Sequence, residues 1–236
     1  MSFELSAAIG FFMIAIIAYL LGSISFAVIF SKLFTKRDVR EQGSGNAGMT
    51  NVLRTAGILP GILTCVFDFA KASLSVAVGM YTIVPYLNSI APHGISIAPL
   101  YGGMLAATCC MLGHIFPIFF EFRGGKGIMT AIGAIFLIDW RIACILLVVF
   151  AIVLLLTKII SISSICAAAT YPIATFLIAF FAKSPQPDGS YHLFFLPLWL
   201  FETIGAVIMA AITILKHRDN IRRLIRGEEK KMTIKK

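Results

Sequence analysis

The sequence predicts an all-α membrane protein, a bundle of about seven transmembrane helices with the N-terminus outside and the C-terminus in the cytoplasm. Three observations carry this expectation. Apolar residues make up 59% of the 236-residue chain and charged residues 13%, against about a quarter charged in soluble domains, and the mean hydropathy is +0.93. The apolar residues run continuously, as in Ile142–Leu156, instead of alternating as the strands of a membrane barrel do. The cations collect on one set of connections. With seven spans, Lys32, Lys36, Arg37, Arg40, Arg54, Arg123, Lys126, Lys158 and the basic tail fall on one side, and only Arg141 and Lys183 on the other. A Lys/Arg excess marks the cytoplasmic side.

Hydropathy places the segments near 6–31, 58–83, 99–120, 127–138, 142–157, 160–182 and 193–215. The first lacks a basic leader and a small-residue cleavage site and reads as a retained helix. The second contains Asp68 and Lys71, three residues apart. Charge is costly inside a span, so this pair either neutralises itself structurally or braces a site near the first loop. The fourth has a dozen residues, about 18 Å of helix at 1.5 Å per residue. It is either a half-helix or the partner of the fifth through Asp139-Trp140-Arg141, so five- and six-span topologies stay open. Pro85–Pro99 and Ser184–Tyr191 read as short external loops.

The five cysteines, at 65, 109, 110, 144 and 166, lie in apolar runs without ligand spacing. They read as free thiols, with neither disulfide nor metal expected. No internal repeat is evident, and 1–236 reads as a single integral-membrane domain with a polybasic cytoplasmic tail at 216–236. The net charge of +9 suits topology and anionic headgroups. Nucleic acid is not an expected partner, because the basic residues abut membrane helices and no nucleic-acid-binding motif accompanies them.

Three polar clusters interrupt the apolar runs. The first is Gly43-Ser44-Gly45-Asn46-Ala47-Gly48-Met49-Thr50-Asn51-Val52-Leu53-Arg54. Its glycines let backbone N–H groups approach an anion, and Ser, Asn, Thr and Arg add donors. Arg54 can close on a phosphate with a forked pair of hydrogen bonds. Gly43, Gly45 and Gly48 satisfy the dinucleotide spacing G-x-G-x-x-G, but that fingerprint needs a preceding strand. The bland reading of the loop is a flexible connector with helix caps.

The second cluster is Gly113-His114-Ile115-Phe116-Pro117 followed by Phe122-Arg123-Gly124-Gly125-Lys126-Gly127. Lys126 is no Walker lysine, since Gly127 stands where Ser or Thr is needed. Gly-Gly-Lys-Gly before a short helix still makes an anion cradle with a point charge, or, more plainly, a tight turn with a topogenic lysine. His114 is equally a structural hydrogen-bonder or a chemical group. The third cluster is Lys216-His217-Arg218-Asp219-Asn220-Ile221-Arg222-Arg223-Leu224, then Gly227-Glu228-Glu229. If helical, His217 and Asn220 share a face. Alone, it reads as a basic amphipathic tail on the membrane.

Together the Gly-Ser-Gly-Asn-x-Gly-x-Thr-Asn-x-x-Arg loop, the Gly-His-x-Phe-Pro…Gly-Gly-Lys-Gly element and the His-x-x-Asn-Ile-x-Arg-Leu-x-x-Gly tail resemble the three signature motifs of the bacterial membrane-embedded acyl-phosphate:glycerol-3-phosphate acyltransferases. The resemblance spans roughly 6–230. Met49 departs from the small residue common there. It implies transfer of a fatty acyl group from acyl phosphate to the 1-hydroxyl of glycerol 3-phosphate, giving lysophosphatidate and phosphate, without a cofactor. It assigns Ser44, Arg54, Lys126, His217 and Asn220 to the phosphate-binding and catalytic constellation. Asn46, Gly48, Thr50 and Asn51 fall at the acyl-phosphate end, and Gly43, Gly45, Gly124, Gly125 and Gly127 join the substrate-binding set. Asp68, Lys71 and His114 are candidate support.

The resemblance also implies a cytoplasmic-membrane location with the site facing the cytoplasm, membrane lipids as partners, and the acyl-phosphate-producing enzyme as a candidate partner. The soluble-type signature His-x4-Asp is absent, since Phe119 and Arg222 follow His114 and His217 at that spacing. A substrate phosphate is therefore expected to take the hydroxyl proton, with His217 as the competing base. The alternative function is a membrane transporter of a phosphorylated small molecule, which predicts internal repeats around a midplane site.

Overall fold

The computed structural model describes residues 2–182 and 197–231. The loop expected at Ser184–Tyr191 and the first residues of the segment at 193–215 lie outside the described residues, as does the end of the basic tail. Eleven α-helices follow one another among the described residues: α1 Phe3–Gly22, α2 Phe26–Thr35, α3 Met49–Thr55, α4 Ile58–Val78, α5 Val84–Ser89, α6 Pro99–Ile115, α7 Ile128–Ile138, α8 Trp140–Thr157, α9 Ile160–Leu177, α10 Leu198–Lys216 and α11 Arg218–Ile225. Among the described residues six helical stretches are long and apolar enough to cross a membrane, and α7 is a shorter apolar helix. The chain divides into two units at Ile138/Asp139.

In the first unit α1 packs along α6. Ala7, Gly10, Ile14, Ala18 and Gly22 form the buried stripe of α1, at the three-to-four-residue spacing of one helix face. Gly22 abuts the Cys110 carbonyl and Gly113 abuts the Tyr19 carbonyl, with no room for a Cβ at either. Small residues allow such close helix crossings within a membrane.

Two expectations change here. The first apolar run, read as one helix, is broken at Ser23–Ser25. The backbone there leaves carbonyls without helical partners, and Lys71 supplies donors to two of them, Gly22 O at 3.0 Å and Ile24 O at 2.7 Å. The stretch read as a loop from Pro85 is instead helical as far as Ser89, because α4 continues through a π turn at Gly79–Ile83 into α5. Pro85 follows directly on that π turn.

The short fourth segment is a separate helix, α7, of 11 residues, about 16 Å long. It packs on α4, where Ser73 Oγ donates to the Gly133 carbonyl at 2.8 Å. Asp139 ends it and caps α8, accepting from Arg141 N at 3.1 Å and pairing with the Arg141 guanidinium at 2.7 Å. In the second unit α9 packs against both α8 and α10. Leu155 and Leu156 of α8 are nearly four-fifths exposed, as suits side chains facing lipid. All five cysteines are free.

Candidate functional site

The first cluster is half loop, half helix. Val39–Glu41 forms a 3₁₀ turn, and α3 already begins at Met49, so Thr50, Asn51 and Arg54 are helical residues. Gly43 (φ 59°) and Gly45 (φ 70°) take the left-handed turns that glycine adopts without strain. Asn51 is 2% exposed. Its Nδ2 carries two hydrogens, which three carbonyls share, Val39 (3.0 Å), Gln42 (2.9 Å) and Asn46 (3.1 Å), and its Oδ1 accepts from Ser44 N at 3.0 Å. Both ends of this amide are committed to the loop itself, so Asn51 shapes the loop. Ser44 and Arg54 are exposed, while Asn46, Gly48 and Thr50 are half-buried.

The second cluster folds back onto α6 and onto the first loop. Gly124 N donates to Ile115 O and Gly125 N to His114 O, both at 3.2 Å. Gly125 is buried between the Ala47 carbonyl of the first loop and the His114 imidazole, leaving no space for a Cβ. This contact brings together two glycine-rich segments nearly eighty positions apart in sequence. Gly127 (φ 83°) then turns the chain into α7, and half-buried Lys126 lies between these two glycines.

Beneath them lies a charged cluster, with Asp68 2%, Lys71 5% and His114 6% exposed. Lys71 Nζ is 2.9 Å from Asp68 Oδ1 and 3.1 Å from His114 Nδ1. An ammonium has three hydrogens and no lone pair. With Gly22 O, Ile24 O and His114 Nδ1 taking them, Asp68 is held by charge. His114 Nδ1 then accepts, which leaves the ring proton on Nε2, the nitrogen beside Gly125. Lys71 thus ties the break after α1 to the glycine turn through His114.

The third cluster belongs to the second unit. His217 is 3% and Asn220 7% exposed. His217 Nδ1 lies 2.8 Å from the Thr213 carbonyl, which can only accept, so Nδ1 carries the proton. Glu229, which the sequence reading did not single out, organises this segment. It accepts from Asn220 Nδ2 at 2.6 Å, Ser161 Oγ at 2.7 Å and Arg223 Nε at 2.6 Å. Burial pushes the Glu229 pKa up, but these three donors outweigh it and hold the carboxyl below its usual range. The only signal in the sequence was an acid following a basic helix.

Arg40 was read only as a topogenic cation, and Asp38 was not singled out. Arg40 grips Asp38 with a fork, Nε–Oδ1 at 3.0 Å and Nη2–Oδ2 at 2.9 Å, and donates from Nη1 to the Phe120 carbonyl at 2.8 Å. Burial raises the Asp38 pKa, but hydrogen bonds from Arg40 and Lys32 pull it down to about 2. Among the described residues no group of three or more His, Cys, Asp or Glu is placed to hold a metal.

These features define a multi-pass helical membrane protein with glycine-rich, cation-bearing segments between its helices. The family described as glycerol-3-phosphate acyltransferase matches residues 12–227, and the chain belongs to it. It is 37% identical to the glycerol-3-phosphate acyltransferase of Idiomarina loihiensis over 213 residues, 90% of this chain and 91% of that one. With the Clostridioides difficile protein of the same name it shares 35% over 226 residues, 96% and 97% of the two chains. Among solved structures it is similar to PlsY (YgiH), an integral membrane glycerol 3-phosphate acyltransferase. In its glycerol 3-phosphate form the TM-score is 0.71 at 32% identity, over 94% of this chain and 96% of that one. The lysophosphatidic acid form gives 0.70 at 31%.

Proposed function

We propose that this protein transfers a fatty acyl group from acyl phosphate to the 1-hydroxyl of glycerol 3-phosphate, releasing lysophosphatidate and phosphate, and that residues 1–236 act as one catalytic domain. Family membership supports the acyltransferase class. The observation that carries the reading is Gly125 seated between the first loop and His114, since it joins two anion-binding segments in one place. Both substrates are anions, and a mixed acyl–phosphoric anhydride already has a good leaving group. Such a reaction asks the protein mainly for positioning and charge neutralisation.

In this reading Ser44, Arg54 and Lys126 bind phosphate oxygens. The backbone N–H groups around Asn46 and Thr50 and that of Gly127 add neutral donors, while Gly48, Gly124 and Gly125, whose N–H groups are spent on Asn46, Ile115 and His114, shape the surrounding turns. Asn51 holds the loop open for them. His217 and Asn220 act in the same reaction by orienting glycerol 3-phosphate, and a substrate phosphate takes the hydroxyl proton. His217 as base is a second reading, favoured by one observation. With Nδ1–H held by Thr213, the neutral ring has its lone pair on Nε2.

The N-terminus lies outside and the C-terminus in the cytoplasm of the bacterial inner membrane, with the donor clusters on the cytoplasmic face, close to the enzyme that makes acyl phosphate. The charge distribution supports this. Purified protein in detergent should release phosphate when given acyl phosphate and glycerol 3-phosphate. Turnover with acyl-CoA or acyl carrier protein but none with acyl phosphate would defeat the donor assignment. Arg54→Ala and Lys126→Ala should each lower kcat/KM by about ten- to a hundredfold, as loss of a charge-assisted contact predicts. An impermeant thiol reagent labelling cysteines placed at 45, 125 or 220 from outside the cell would refute the topology.

A further inference from the structure

Between α6 and the glycine turn the chain makes a tight excursion, with a 3₁₀ turn at Ile118–Phe120 and then Glu121 and Phe122 at φ 58° and 57°. Two consecutive side-chain-bearing residues in the left-handed region are strained, the second being bulky. Such a turn persists only where its surroundings hold it. The Phe120 carbonyl, directly before the strained pair, accepts twice, from Arg40 Nη1 at 2.8 Å and from Arg123 N at 3.1 Å. Phe120 packs on the buried cluster of Ala27, Val28, Val39, Ala47 and Val52, drawn from α2, the first loop and α3. Arg40 itself is only 12% exposed at its side chain and is fixed by the Asp38 fork, and Glu121 lies 3.8 Å from Nη1. Arg40 precedes Ser44 by four residues, and Phe120 precedes Lys126 by six.

We propose that Arg40 is a positioning residue for acyl transfer: its forked hold on Asp38 and its third donor on the Phe120 carbonyl set the Ser44 loop and the Lys126 turn in register. This rests on the acyltransferase reading above. A guanidinium is needed because one rigid plane must serve a carboxylate on one edge and a carbonyl on another, which a lysine point charge does not do. The clasp touches no substrate. It opposes the left-handed strain of Glu121 and Phe122 and keeps Gly125 against the Ala47 carbonyl.

Steady-state kinetics with acyl phosphate and glycerol 3-phosphate, and hydrogen–deuterium exchange without substrate, test this in detergent. Arg40→Ala should raise the KM for glycerol 3-phosphate by about tenfold and speed exchange in both 43–51 and 118–127. Arg40→Lys, which keeps the charge, should stay within about threefold of Arg40→Ala. Adding Glu121→Gly to Arg40→Ala should recover part of the lost affinity, because glycine takes that φ without strain. A wild-type KM in Arg40→Lys, unchanged exchange in both segments of Arg40→Ala, or no recovery with Glu121→Gly would each overturn the proposal. Exchange needs no turnover. A protein that transfers no acyl group would sink the functional reading and still leave the clasp judged by exchange in Arg40→Ala and Arg40→Lys.

Discussion

The loop at 42–51 is organised by a neutral amide, Asn51, whereas the segment at 216–229 is organised by a carboxylate, Glu229. Asn51 serves three carbonyls and one N–H of its own loop. Glu229 gathers two side chains from its own segment and Ser161 from α9. In each region the candidate substrate-facing groups are presented by a neighbour that is itself fully engaged. The difference lies in what can switch the neighbour off. An amide does not titrate near neutral pH, while a carboxylate loses its acceptor charge in acid. The glycines differ in the same two regions. Gly125 is needed for space, and Gly227 (φ 70°) only for its dihedral, since nothing lies within 4 Å of a Cβ there.

The largest effect is expected at Gly125→Ala. An added carbon must push apart the Ala47 carbonyl and the His114 ring, and displacement by about 1 Å in a positioned site costs about a hundredfold in rate. Acyl-transfer kinetics measure this, and a near-normal rate would show that the two glycine segments tolerate separation. Asn51→Ala comes next. It leaves buried carbonyls without a donor, at about 1–3 kcal/mol for an orphaned group, and should cut kcat/KM by about ten- to a hundredfold. The loss should be the same at pH 6 and pH 8, because no titrating group has been removed.

Glu229→Gln should cost about tenfold, since an amide NH₂ must then face one of the donors that Glu229 accepts. Its pH signature separates the two regions. A folded-state pKa below the usual value means that the carboxylate contributes stability in full above its unfolded pKa, and the contribution is lost as pH falls through the folded value. Wild-type α11 should therefore hold its exchange protection from neutral pH down to about pH 4.3 and lose it below, while Glu229→Gln shows no such step. Equal acid sensitivity in 43–51 and 216–229 would show that the two segments are held alike. The smallest effect belongs to Gly227→Ala, about 1 kcal/mol from left-handed strain alone. It should be read as a shift of a few degrees in thermal unfolding with unchanged KM, and Gly227→Asn should be milder still.

Residue order by itself determined the membrane class, the seven apolar segments with a short fourth, and the three polar clusters that mark the family. These are local properties, because hydropathy and glycine content are written into consecutive residues. Asp68 and Lys71 were legible as a pair because their partnership is i,i+3 on one helix. Their function was not. Lys71 also caps carbonyls 47 and 49 residues away and meets His114 43 residues on. A backbone carbonyl exposed by a helix break has no side-chain signature, so neither the break at Ser23–Ser25 nor its cap could be read in advance. The same holds for Arg40, whose second partner is the Phe120 carbonyl 80 residues away, and for Glu229, which meets Ser161 68 residues back. The family resemblance also placed Asn51 among the groups that meet substrate. The fold turns its amide inward, because carbonyls brought together by the 3₁₀ turn and the left-handed glycines need a donor and water does not reach them. Sequence supplied the donors, and tertiary structure decided which of them are spent on holding the others.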